Sequence, residues 1–322
     1  MIKKLLIGSA MTAMTFAATA HNHASTDNAF NPDTQRIKSH LFFLADDLLE
    51  GRDTGSRGHE IAALYIATEF AKYGLTPAGT DGYMQNVTFR KANLVQESPT
   101  FSFTQNGETV NFDYPKEYLA GPSLLNTDAS VKGEMVFVGY GIVADELSHN
   151  DYKDLDVEGK IVVALAGKPS DFPSEEGAHF ASGYQKQKYA VDNGAIGMIT
   201  ITTPKNEKVR PYQSRLNYIH TPRMAWLDDS GQPANSFSQL KGGAYMSEGA
   251  ARKLFKGAEK SLDDVYAQLE ADKVPQGFAL NGVVDISKKS VHDTITSPNV
   301  VGVLEGSDPE LKDEYVVFSA HS

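Results

Sequence analysis

The sequence predicts a mixed α/β fold in which a β-rich α/β block occupies the middle of the chain. Three observations lead there. Helical periodicity occupies the region between Asn31 and Gly74. Continuous apolar strand-like runs, Met135–Val138 and Ile161–Leu165, precede a helical stretch and the run Ile196–Ile199, the order of a buried α/β layer. Two further apolar runs, Val300–Leu304 and Tyr315–Ala320, close the sequence. With 322 residues, 41% hydrophobic and 22% charged, the chain can bury more than one core. The expected division is a leader at 1–20, a polar lead-in at 21–30 and three blocks at 31–114, 115–285 and 286–322.

Taken in order, Lys3-Lys4, the apolar run Leu5–Ala17 and the small residues Ala18-Thr19-Ala20 have the layout of a secretory signal cleaved near Ala20. The run is shorter than the roughly 20 residues needed to span a bilayer. The mature chain is therefore expected in the periplasm or outside the cell, without a membrane anchor. Asn31-Pro32 can start a helix that carries Ile37, Leu41, Leu44 and Leu48 on one face up to Gly51. Ser56 caps a second helix with Ile61, Leu64, Tyr65 and Thr68 on its apolar side, and Gly74 supplies a left-handed terminus. Asn106-Gly107 between Phe101-Ser102-Phe103 and Val110-Asn111-Phe112 is a hairpin signal. Met246–Leu269 reads as polar helix, and Ser297-Pro298 as a junction.

Composition narrows function. A formal charge of −11 repels phosphate backbones and anionic lipid, so nucleic acid and membrane surfaces are not expected partners. The absence of cysteine excludes disulfides and a thiol nucleophile. No Gly-x-Ser-x-Gly elbow occurs, Gly139-Tyr140-Gly141 lacks the last glycine of a dinucleotide loop, and Gly167-Lys168 continues into Pro169 instead of the Ser or Thr of a phosphate loop. His59-Glu60 opens like a zinc helix, but Ala63 stands where the second histidine belongs, which leaves a charged helix face. Arg52, Asp53 and Arg57 can brace the glycine-studded turn Glu50–Gly55 or rim a site. His149, His179, His220 and His292 lack mutual spacing and read as surface or loop residues. Tyr184, Tyr189, Tyr212 and Trp226 suit either packing or a peptide-facing surface. A mature start at His21-Asn22-His23 would offer copper or nickel a planar nitrogen set.

His321 is the candidate metal ligand, because it directly follows an expected buried strand, and the carboxyl ends of strands are where sites assemble in open α/β sheets. Leu41–Arg52, Thr54-Gly55-Ser56-Arg57-Gly58, Ala62–Phe70 and Tyr73-Gly74-Leu75 together resemble the opening of the M28 family of metallopeptidases. Asn299–Gly306 and Tyr315–His321 resemble the strands leading into that family's first zinc motif. Val138–Ile142, Asp151-Tyr152, Asp156–Lys160 and Asn193–Gly197 resemble the protease-associated domain that some members insert. The resemblance implies a zinc-exopeptidase-like catalytic domain, two zinc ions, peptide substrates and aminopeptidase activity by metal-activated water. It assigns His321 to one zinc and implies that the bridging aspartate, general base and remaining ligands follow Ser322, so that the chain is truncated and inactive alone. No catalytic residue is expected within it. A noncatalytic receptor-like peptide-binding protein and a glutaminyl cyclase are the alternatives on the same scaffold.

Overall fold

The computed structural model describes residues 31–321. The signal-like leader, the lead-in and His21-Asn22-His23 lie outside the described residues. The chain divides into two compact units between Asp47 and Leu48. The described part of the first is helix α1 (Thr34–Leu44), whose cap is Asp33, the side chain accepting the N–H groups of Gln35 and Arg36. The expected cap at Asn31 and the extension to Leu48 are both corrected: a carboxylate that accepts two amides is the better cap, and the chain leaves helical geometry at Ala45.

Next in the chain comes a 3₁₀ segment, Asp47–Arg52, that contains left-handed Glu50 and Gly51. Helix α2 (Arg57–Lys72) follows, with Ser56 Oγ accepting the His59 N–H as expected and Gly74 left-handed beyond its end. Its buried face, however, is Gly58, His59, Ala62, Ala63 and Ala67, whereas Ile61 and Leu64 are exposed. The expected face is thus reversed, because close packing on a strand selects small side chains over large apolar ones.

The strands are β1 (Thr76–Pro77), β2 (Met84–Leu94), β3 (Thr100–Gln105), β4 (Glu108–Asn111), β5 (Tyr118–Leu119), β6 (Asp128–Phe137), β7 (Val143–Ala144) and β8 (His149–Asn150). After β9 (Ile161–Leu165) come helices α3 (Ser174–Phe180) and α4 (Gly183–Asp192), then β10 (Gly197–Ile201), α5 (Pro204–Val209) and α6 (Tyr212–Arg215). The remainder is β11 (Arg223–Trp226), β12 (Gly242–Met246), α7 (Glu248–Leu254), α8 (Leu262–Glu270), β13 (Phe278–Val300) and β14 (Gly302–Val303). The helical character expected over 246–269 is present as two helices, with left-handed Gly257 between them.

Ten strands form one mixed sheet, ordered β11-β2-β13-β6-β9-β10-β12-β5, with β3 and β4 extending from β13. Its centre is parallel: β6, β9, β10 and β12 run alongside one another. Every residue of β9 is buried, Ile161, Val163 and Leu165 in one apolar cluster and Val162 and Ala164 in another. Burial on both faces accounts for the continuous apolar runs that mark this block in the sequence. The Asn106-Gly107 hairpin forms as expected, with both turn residues left-handed.

Strand β13 organises the unit. It is 23 residues long and pairs first with β6 and β3, then, from Ser290 to Val300, antiparallel with β2. It runs without a break through the expected boundary at 285/286. Ser297-Pro298 is likewise inside β13 and forms no junction: there the strand pairs with β2 alone, so a proline without an N–H disrupts no second ladder. Val300 ends β13, and Gly302-Val303 pair with Thr76-Pro77. The strand expected over Tyr315–Ala320 is corrected: these residues are exposed coil, with no neighbouring strand among the described residues to complete a ladder.

Candidate functional site

Three places in the second unit gather chemistry. The first joins α2 to β13. Ser297 Oγ accepts the Gly55 N–H at 3.2 Å and hydrogen-bonds His59 Nδ1 at 3.1 Å, across 238 positions of sequence in the latter case. His59 is buried here, which corrects its reading as part of a charged helix face. The turn before α2 is shaped for this approach. A Cβ on Gly58 would fall 1.8 Å from the Leu49 carbonyl oxygen, so only glycine lets the turn close on the helix. Arg52 is left-handed, and Asp53 accepts the Thr54 N–H, so this carboxylate stabilises the turn.

The second lies around the loops that follow β6 and β9. Lys186 on α4 is buried and donates to the carbonyls of Leu165 at 2.9 Å and Gly167 at 2.7 Å, with its ammonium 5.7 Å from the Tyr140 ring centre. Burial pushes the ammonium down to about 8, only partly opposed by the Asp151 carboxylate. Asp151 accepts the Ile142 N–H at 3.0 Å. His149 Nε2 stands 3.0 Å from Asp151 Oδ1, within ion-pair range but off the hydrogen-bonding direction. His149 is therefore no ordinary surface histidine, and neither is His292, which sits within β13 and bonds the Ser123 carbonyl at 2.7 Å. Tyr212 is a packing residue whose hydroxyl donates to the Pro115 carbonyl, and burial raises its pKa. Trp226 is about half exposed on β11. Tyr184 faces the Phe237 ring.

The third is a cavity of about 520 Å³ between the β3–β4 hairpin and the α7–α8 connection. Phe103, Phe255 and Leu262 floor it, and all three are buried. Arg252, Lys253 and Lys256 stand along the helical wall, Glu108 and Val110 along the strand. Arg252 is held by Glu248 and by Asp263 at 2.9 Å, and Lys253 pairs with Glu117.

His321 lies apart from all three as an exposed residue of the coil after Leu304. Among the described residues no group of three or more His, Cys, Asp or Glu side chains could hold a metal ion. A catalytic zinc normally takes three protein ligands and a water. The described residues do not supply such a site, and no chemical step can be derived through zinc from them. His59 was not legible as a buried, partnered residue: its burial and its bond to Ser297 depend on a remote strand, which local spacing does not encode.

No protein-family model matches the chain. Among solved structures, an aminopeptidase from Aneurinibacillus sp. strain AM-1 is similar at 17% identity and a TM-score of 0.39, over 86% of this chain and 50% of that one. BSAP, a zinc aminopeptidase from Bacillus subtilis, is similar at 14% identity and a TM-score of 0.31, over 84% of this chain and 47% of its own. The psychrophilic subtilisin-like protease Apa1 from Pseudoalteromonas sp. AS-11 gives 11% identity and a TM-score of 0.28, over 62% and 35%. The chain thus spans half or less of the length of each of these structures. Among the described residues no helix is long and apolar enough to cross a membrane.

Proposed function

We propose that this chain is part of a periplasmic or secreted zinc aminopeptidase, in which an inserted protease-associated block modulates access of peptide substrates. One observation carries the reading. The segments that resemble the peptidase family at the two ends of the sequence, Gly55–Leu75 and Asn299–Gly306, are drawn into one structure by the Ser297 bonds to Gly55 and His59 and by the β1–β14 pair. Such closure over an intervening block of strands and helices is what an insertion into a peptidase scaffold requires. In this reading His321 is one zinc ligand, and the other ligands and the general base belong to a part of the enzyme beyond the described residues.

The test uses the complete gene product, read to its own stop codon. Calorimetry should register zinc uptake, and aminoacyl p-nitroanilides should be hydrolysed. His321→Ala should abolish hydrolysis while leaving the melting temperature of the metal-free protein unchanged. Absence of both zinc uptake and hydrolysis would overturn the peptidase assignment and leave the noncatalytic peptide-binding reading, for which the cavity beside β4 is the supporting observation.

A further inference from the structure

We propose that the cavity between the β3–β4 hairpin and the α7–α8 connection is a docking site for an extended polypeptide, which adds to the free edge of β4 and places an apolar side chain in the cavity. The site goes beyond the peptidase reading and does not require it. Two independent features converge on it. The cavity, about 520 Å³, is of the size that takes ligands, and above its buried floor of Phe103, Phe255 and Leu262 the side chain of Val110, 40% exposed, offers apolar contact. Beside it, β4 pairs with β3 alone, so one side of Glu108–Asn111 presents main-chain donors and acceptors without a ladder partner among the described residues. Main chain is the chemistry that satisfies a strand edge, which selects a polypeptide over an isolated apolar molecule.

Register follows from the hairpin. Val110 pairs with Phe103 and Glu108 with Gln105, so Val110 and Phe103 share the face that meets the cavity. An added strand would direct every second side chain toward this face. Charge then restricts the flanking positions. Arg252, Lys253 and Lys256 line the site together with Glu108 and Asp263. Arg252 and Lys253 are already paired with carboxylates, whereas Lys256 has no carboxylate within ion-pair distance among the described residues. The occupant is accordingly an extended segment with an apolar residue and an acidic residue two positions away on the same face.

The probe is the blocked pentapeptide acetyl-Glu-Thr-Leu-Thr-Glu-amide, whose capped termini remove it from any reaction at a free amine. It should bind the full chain and slow amide hydrogen exchange at Glu108–Asn111. Replacing both glutamates by lysine, methylating the backbone nitrogens of the probe, or substituting Lys256→Glu or Val110→Glu should each weaken binding by about tenfold or more. Lys256 is a surface residue, so its variant separates loss of binding from loss of fold. No binding at millimolar probe, binding without protection of Glu108–Asn111, or undiminished binding of the methylated probe would each overturn the proposal. Hydrolytic activity enters none of these readouts, so failure here is distinguishable from failure of the peptidase reading.

Discussion

Ser297 is a small residue on which two distant segments depend, since its hydroxyl serves both the Gly55 amide and the His59 ring. Ser297→Ala would leave a backbone N–H and a buried ring nitrogen without this partner, and a buried polar group left unpaired costs about 1–3 kcal/mol. Urea titration should show that loss in the unfolding midpoint with an unchanged slope, and a variant as stable as the parent would remove the clasp from the account. Lys186 makes a different prediction, in pH. Burial lowers its folded-state pKa to about 8 from 10.5. Below pH 8 both folded and unfolded chains carry the proton, and this group contributes no slope. Between pH 8 and 10.5 the unfolded chain binds more protons, so stability rises with pH. The full shift corresponds to about 3 kcal/mol. Against Lys186→Met as reference, the parent should gain relative stability over that window and none between pH 6 and 7.5. Parallel stability curves across both windows would refute a buried, proton-poor lysine.

Helix α2 shows how far an element can be read from its own residues. Its cap at Ser56 and its left-handed end at Gly74 are local hydrogen-bonding and backbone preferences, so the sequence announces them. Its orientation is not local. Ile61 and Leu64 outweigh the alanines in any count of hydrophobicity, yet the helix lies on Gly58, Ala62, Ala63 and Ala67, because small side chains let it approach β13. The hairpin at Asn106-Gly107 was legible for the same reason as the cap, whereas the passage of β13 from one set of partners to another was not, since it is defined by strands remote in sequence, Val300 pairing with Met84. This orientation can be tested. Gly58→Ala would force its methyl into the Leu49 carbonyl and should cost at least about 2 kcal/mol, as overpacking of tight contacts does. Leu64→Gln, on a side chain 63% exposed, should stay within about 0.5 kcal/mol. Equal effects of the two would mean that the apolar face of the periodicity is the buried one after all.

At the scale of the whole molecule, the parallel centre of the sheet was legible because strands buried on both faces must be apolar throughout, as β9 is. The last strand-like run, Tyr315–Ala320, has the same composition but not the same surroundings: Tyr315 to Phe318 are between 79% and 93% exposed. Composition states that a segment can be a strand, and only a partner makes it one. His321 inherits this condition, because a ligand is presented to metal only when the backbone that carries it is fixed. The described residues offer neither that support nor a group of three ligands, so zinc should gain little from the folded state of this 322-residue chain. A ligand stabilises in proportion to its preferential binding to the native form. The melting temperature of the 322-residue chain should therefore move by less than about 1 °C on adding zinc or a chelator, where a metal that contributed about 1 kcal/mol would shift a domain of this size by roughly 2–4 °C. Under the proposed peptidase reading, the same comparison on the complete gene product should show a clear rise with zinc, and His321→Ala should diminish it. A zinc-dependent rise already present in the 322-residue chain would place a metal site within it and displace His321 from the centre of the functional argument.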